Sequence, residues 1–418
     1  MTDNSAENGT ARVAVRAVFG LPVIVAALGY FVDIYDLVLF SIVRVPSLKG
    51  IGISGPELID KGVMLLNMQM VGMLLGGILW GILGDRKGRL KIMFGSIFIY
   101  SLANLANGMV TSIEAYALLR FIAGVGLAGE LGAGITLVSE VLHKSIRGYG
   151  TMIVASVGVS GAILANFVAN GFDWRTAFYI GGALGLLLLI LRVTVAESGM
   201  FKGMEVADVR RGNFLSLFTS RDRFGRFLHS ILIGLPSWFV VGVLITFSPE
   251  FAKVLNVQGQ VSAGNAVMYC YMGLVAGDLT SGLLSQLFKS RKKVILLFLV
   301  LTVAAVGAYF SSRGVTAATF YIICGLLGFG IGYWAIFVTV AAEQFGTNLR
   351  ATVATTVPNF VRGMTVPITM LFQIARKPLG IENGALVVGV FTLAIALFSL
   401  SRLQETFHKD LDYFEEYL

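Results

Sequence analysis

The chain has 418 residues, 56% of them hydrophobic and only 13% charged, with a mean hydropathy of +0.81. A soluble domain carries about 25% charged residues, so an ordinary soluble protein is excluded. The two cysteines, Cys270 and Cys324, both sit in apolar runs and mark neither a disulfide scaffold nor a metal centre. The net charge of +8 is spread over short loops between apolar runs, which signals membrane topology and not a nucleic-acid-binding face.

In chain order, residues 1–15 are polar and carry no signal-peptide pattern, so the first apolar segment is expected to act as its own uncleaved insertion signal. Twelve apolar runs follow: 18–43, 62–83, 91–110, 114–138, 149–171, 174–194, 227–251, 262–287, 294–311, 316–341, 351–374 and 384–402. Each is about the length a helix needs to cross a bilayer. The longest polar interruption, 196–225, is basic, with Lys202, Arg210, Arg211, Arg221 and Arg223. It reads as a cytoplasmic linker between an N-terminal half, 1–195, and a C-terminal half, 226–403, with a tail at 404–418. Glu140 followed by Arg147 recurs as Glu343 followed by Arg350, at the same spacing half a chain later. Two copies of one membrane unit are therefore expected.

Lysine and arginine crowd the segments on the side of the N-tail, the linker and the C-tail. The opposite loops hold only Arg44, Lys49, Lys61, Arg175, Lys253, Arg313, Arg376 and Lys377. This bias places both termini in the cytoplasm of a multi-pass inner or plasma membrane protein. The expected fold class is an all-α membrane protein.

Charges inside apolar helices need a partner or a cavity, because an arginine at mid-bilayer costs roughly 2.5–3.5 kcal/mol on insertion scales. Run one carries Asp33 and Asp36, three apart and so on one helical face. Run two holds Gln69, and run four holds Arg120 and Glu130. Run seven offers Trp238, run eight Tyr271 and Asp278, and run ten Tyr333 and Trp334. Run eleven reads Thr356-Val-Pro-Asn359-Phe-Val-Arg362, with Asn359 and Arg362 on one face and Arg362 near mid-membrane. A guanidinium there offers a fork that matches a carboxylate. The competing reading is that Arg362 neutralises Glu130 or Asp278. Aromatic side chains at these positions either stack on a ring or simply pack.

Gly84-Asp85-Arg86-Lys87-Gly88-Arg89-Leu90-Lys91, between runs two and three, closely resembles the cytoplasmic loop signature of the major facilitator superfamily. Lys289-Ser290-Arg291-Lys292-Lys293 is its degraded counterpart. Arg120 through Gly124, Gly126 and Gly129 to Ser139-Glu140 and Arg147-Gly148 resembles the sugar-porter branch. So do Glu197-Ser198, the set Glu343, Thr347 and Arg350, and Gln404-Glu405-Thr406.

The resemblance implies twelve transmembrane helices in two pseudo-symmetric six-helix halves, with substrate bound between them near the midplane and alternating access by rocking. It also implies a cytoplasmic gate of Asp85, Arg89, Glu140, Arg147 and Glu197, mirrored by Arg291, Glu343, Arg350 and Glu405. The alternative is a set of solvated helix-end charges, each worth little.

By the same resemblance, Asp36 and Arg120 form the proton-coupling pair, with Asp33 and Glu130 as further candidates; a static buried ion pair competes with that reading. The sugar porters' glutamines are missing from run seven, which argues against a sugar. Run eleven instead resembles the organic-anion branch, with Arg362 and Asn359 on the substrate carboxylate and Trp238, Tyr271, Gln69, Tyr333 and Trp334 around it. The run-five stretch Gly158-Val-Ser-Gly161 lacks the proline of the drug-antiporter motif, which leans toward symport.

The expected activity is proton-coupled symport of a small organic anion by a monomer. Its partners are a small-molecule substrate, the proton and the lipid bilayer, with no cofactor, metal or nucleic acid. Alternatives are a symporter of a neutral, zwitterionic or cationic metabolite, a proton-driven exporter, or a sensor on a transporter fold. No enzyme motif is present: the histidines, His143, His229 and His408, sit at helix edges, and no phosphate-binding Gly-x-x-x-x-Gly-Lys occurs.

Overall fold

The computed structural model describes residues 20–87, 89–129, 153–154, 157–197, 214–407 and 415. Among these residues there is no strand, only an isolated bridge between Gln258 and Thr316. Helices are the expected outcome, because inside hydrocarbon each backbone N–H and C=O must be satisfied within its own segment. Eight helical stretches among the described residues are long and apolar enough to cross a membrane.

In order, the helices are α1 (Leu21–Gly50), α2 (Glu57–Lys87), α3 (Arg89–Asn107), α4 (Ile113–Leu127), α5 (Gly161–Gly171) and α6 (Trp174–Glu197). After a 3₁₀ turn, Phe214–Phe218, come α7 (Arg221–Leu232), α8 (Leu235–Phe239) and a π-helical segment, Val240–Ile245. Next are α9 (Ser248–Val254), α10 (Ala263–Leu287), α11 (Arg291–Phe310), α12 (Ala317–Gly330), α13 (Trp334–Glu343), α14 (Thr347–Gly363) and α15 (Thr365–Arg402).

The starts of several helices are written in the sequence. Ser112, Ser262, Ser290 and Thr316 each accept a hydrogen bond from the backbone N–H three residues on, satisfying one of the donors a helix leaves open at its start. The helices outrun the apolar stretches at several ends. α1 runs through Arg44 to Gly50, where the apolar run stops at residue 43, and α7 begins at Arg221, inside the segment read as linker. α15 is broken at Gly380, whose φ of 78° reverses the chain; an L side chain there would be strained.

Two helix pairs pack backbone to backbone. A Cβ on Gly72 or Gly76 of α2 would run into the backbone of α4, and one on Gly124 of α4 would run into the Gln69 carbonyl of α2. α10 and α12 repeat the pattern: Gly273 and Gly277 face Gly325 and Phe329, and Gly328 faces Cys270. Within a membrane, small residues at such seams let helices gain the dispersion contacts that hold them together.

Candidate functional site

α1, Val159, α8 with its π segment, α10, the break before α13, and α14 converge on one cavity, with about 390 Å³ of empty space that includes its opening to solvent. Tyr30, Ile34, Leu37, Ser237, Trp238, Val241, Tyr271, Leu274, Ile331, Trp334 and Arg362 line it. Two helix irregularities shape its walls. The π segment follows α8 directly beside Trp238 and Val241, and such segments are frequent at functional sites. The second is the interruption between α12 and α13, where Asp278 Oδ1 accepts from the Ala335 N–H at 3.1 Å and so supports the restarted helix.

Four of the residues expected to surround a substrate are therefore together: Arg362, Trp238, Tyr271 and Trp334. Arg362 is 1% exposed, with its Nη2 3.8 Å from Asp33 Oδ2. Its Nε and Nη1 donate no hydrogen bond among the described residues. Asp278, one of the alternative partners read for Arg362, serves the helix restart instead. The other, Glu130, lies outside the described residues.

The remaining candidates have other positions. Tyr333 is fully buried and donates to the Ile233 carbonyl at 2.9 Å, bracing the step from α7 to α8. Asn359 Nδ2 donates to the Ala128 carbonyl at 3.0 Å, and its side chain packs on Gly77, which ties α14 to α2 and α4. Gln69 accepts a hydrogen bond from Arg120 Nη2. The Arg120 guanidinium also sits 4.8 Å over the Phe40 ring, and a desolvated cation over an aromatic face is worth about 2 kcal/mol. Asp36 is buried in the same region and acts electrostatically on Arg120. Asp36, Arg120 and Gln69 thus form a second polar cluster beside the cavity.

At the helix ends carrying Ser290 and Leu403, part of the expected gate is assembled. Arg291 forms a two-pronged pair with Glu343, at 2.8 and 3.0 Å. Glu405 accepts from the N–H groups of Arg291 and Lys292 and from the Ser290 hydroxyl, at the N-terminus of α11. Partial burial pushes the Glu405 carboxyl up, but these hydrogen bonds and that from the Phe407 N–H outweigh it and hold the group below the usual range. Arg350 donates to the Phe345 carbonyl at 3.4 Å. Glu140 and Arg147 lie outside the described residues, as do the side chains of Asp85, Arg89 and Glu197.

Two features escaped the sequence reading. Tyr30 lines the cavity; its signal was the spacing Tyr30, Ile34, Leu37 along one face of α1. Arg44, counted as a loop residue, is fully buried. Its Nη2 donates to both carboxylate oxygens of Glu250, at 2.7 and 2.8 Å, and to the Thr246 carbonyl, while Nη1 donates to the Leu58 carbonyl. The guanidinium also lies 4.4 Å over the Phe247 ring. Ser41 with Thr246, Asn166 with Asn265, and Asn67 with Thr369 add further long-range ties.

The model of the Major Facilitator Superfamily matches residues 26–363. A protein of Bacillus subtilis named as a niacin/nicotinamide transporter is 24% identical over 385 residues, covering 89% of this chain and 92% of its own. One of Cupriavidus pinatubonensis, named as a 4-methylmuconolactone transporter, is 26% identical and covers 90% and 89%. The 3-(3-hydroxy-phenyl)propionate transporter of Escherichia coli is 27% identical and covers 84% and 89%. With a family match over most of its length and apolar helices to span a bilayer, this chain is a membrane transporter, not an enzyme, and belongs to the major facilitator superfamily.

Proposed function

We propose that the protein is a proton-coupled symporter of a small organic anion, a carboxylate attached to a single ring. The observation that carries this reading is Arg362: a buried guanidinium with two nitrogens, Nε and Nη1, that have no hydrogen-bond partner among the described residues, facing a cavity walled by Tyr30, Trp238, Tyr271 and Trp334. A carboxylate completes the guanidinium, and the rings pack against an aromatic body. The names of two relatives, a niacin/nicotinamide transporter and a 3-(3-hydroxy-phenyl)propionate transporter, support a ring-bearing substrate. Proton coupling is assigned to Asp36, with Arg120 and Gln69 as its charged and polar partners; Asn359 joins the helices around the site, and Glu130 is a second candidate.

The architecture that goes with this reading is twelve spans in two pseudo-symmetric halves, supported by the matching glycine seams of α2–α4 and α10–α12. Both termini are cytoplasmic in an inner or plasma membrane, the unit is a monomer, and transport proceeds by alternating access. In that orientation the Arg44 end is the outer one, and its bonds to Glu250 and Thr246 join the helices there.

The test is a flux assay in proteoliposomes with a pH-sensitive dye inside. Nicotinate, benzoate, 3-(3-hydroxyphenyl)propionate, an amino acid, a sugar and an organic cation are compared. Proton entry together with one of the acids, absent in Asp36→Asn, is expected. Proton movement only with the cation or a neutral solute, or flux of acids without protons, would overturn the reading and favour a different symporter or an exporter.

A further inference from the structure

Arg362 already has one carboxylate within reach. Asp33 Oδ2 lies 3.8 Å from its Nη2, and the pair joins α1 to α14 with both side chains sealed from solvent. A charge-assisted hydrogen bond would be about 2.7–2.9 Å, so this contact is electrostatic and leaves the fork open. Around the pair lie Tyr30 and Asp36 on α1 and Tyr271 on α10, with Asp278 of α10 acting on Tyr30 and Arg120 of α4 acting on Asp36. Asp278 is held by the Ala335 N–H, and Asp36 acts on Arg120. Among the described residues, that leaves Asp33 as the carboxylate acting most directly on Arg362.

We propose that Asp33 is a stand-in for the substrate carboxylate: ionised, it occupies Arg362 while the cavity is empty, and only when protonated does it yield the guanidinium to an incoming anion. The proposal rests on the organic-anion reading and adds the group that makes anion binding depend on a proton. Two carboxylates crowded on one buried guanidinium repel each other, and a second negative charge in a sealed site has no counter-ion. A proton on Asp33 removes that charge as the substrate brings its own, so the site's net charge is the same before and after binding. Asp36, one turn further along α1, keeps its role beside Arg120. Asp33 sets the affinity, and it acts on the substrate through Arg362.

The experiment is calorimetric binding of nicotinate, benzoate and 3-(3-hydroxyphenyl)propionate to the purified full-length protein between about pH 5.5 and 8.5. The unmodified protein should bind more weakly as pH rises, approaching about tenfold per pH unit at the alkaline end, and should take up about one proton per acid bound in weakly buffered solution. Asp33→Asn should lose that slope and bind about tenfold or more tighter at the alkaline end.

An unchanged slope in Asp33→Asn would overturn the proposal. So would binding without proton uptake in the unmodified protein, a readout that needs no variant. If Arg362→Gln abolishes binding while Asp33→Asn keeps the slope, only the role of Asp33 falls. If no acid binds, or if Arg362→Gln binds as well as the unmodified protein, the organic-anion reading fails and takes this proposal with it.

Discussion

Arg44 and Arg362 are both buried guanidiniums, and both reach a carboxylate on a distant helix, yet they are bonded very differently. Arg44 holds Glu250 with two short hydrogen bonds, adds the Thr246 and Leu58 carbonyls, and lies over Phe247. Arg362 meets Asp33 at 3.8 Å and leaves Nε and Nη1 without an acceptor among the described residues. Burial alone does not separate a structural arginine from a ligand-binding one. The unspent hydrogen-bonding capacity does. A closed set of partners makes a fastening, and an open set in a cavity makes a receptor for an anion.

Cutting the fastening should have the largest effect. Arg44→Ala leaves Glu250 without its cation and should cost about 3–5 kcal/mol of stability. Replacing both partners with leucine should recover most of that loss. Thermal unfolding of the two single variants and the double variant reads the coupling, and additive single effects would show that the pair contributes nothing of its own. In alternating access, Arg44→Ala should also raise the labelling rate of a cysteine placed in the outer half of the cavity.

Opening the receptor should cost less in stability and more in binding. Arg362→Gln removes a charged fork and should weaken acid binding by about 2–4 kcal/mol, roughly 30- to 1,000-fold. Arg362→Lys should fail to restore binding, since a point charge does not reproduce the planar fork. Calorimetry on the same acids checks both. A large loss of stability with unchanged affinity would move Arg362 into the same class as Arg44.

A third pair marks the bottom of the scale. Arg226 holds Glu415 at 2.8 and 3.1 Å, helped by the Gly346 N–H, in a partly buried setting. Partial burial pushes the Glu415 carboxyl up, but Arg226 outweighs it and holds the group below its ordinary value of 4.5. A carboxylate held low contributes stability that is complete above that value and fades as the pH falls through the lowered one. Glu415→Gln should therefore lower the unfolding midpoint by a small amount at neutral pH, on the order of 1 kcal/mol, the upper end of what a pair near the surface contributes. It should make no difference in strong acid. An equal effect at both pH values would exclude the ion pair as its cause.

Much of this was legible in the sequence because it is local. Apolar length marks the spans, serine and threonine mark the helix starts, and a charge inside an apolar run marks Arg120 and Arg362. Arg44 was not legible, since its partner Glu250 lies on another helix and nothing near either residue announces the contact. Asp278 was visible as a buried carboxylate, but its use depends on where α12 breaks, which backbone packing decides. Gln69 and Tyr333 read as residues around the substrate, and each instead has a bond to a neighbouring helix or turn. Which neighbour each would satisfy, Arg120 in one case and the Ile233 carbonyl in the other, follows only from how the helices are rotated against one another.

The glycine seams carry a consequence for the path of the cargo. α2 and α4 meet backbone to backbone, as do α10 and α12, and no gap the size of a water molecule can open within either pair without tearing it apart. Each pair is then a sealed panel. A solute entering the cavity has to pass between panels, where side chains and not main chains meet, so the doorway lies along those looser seams.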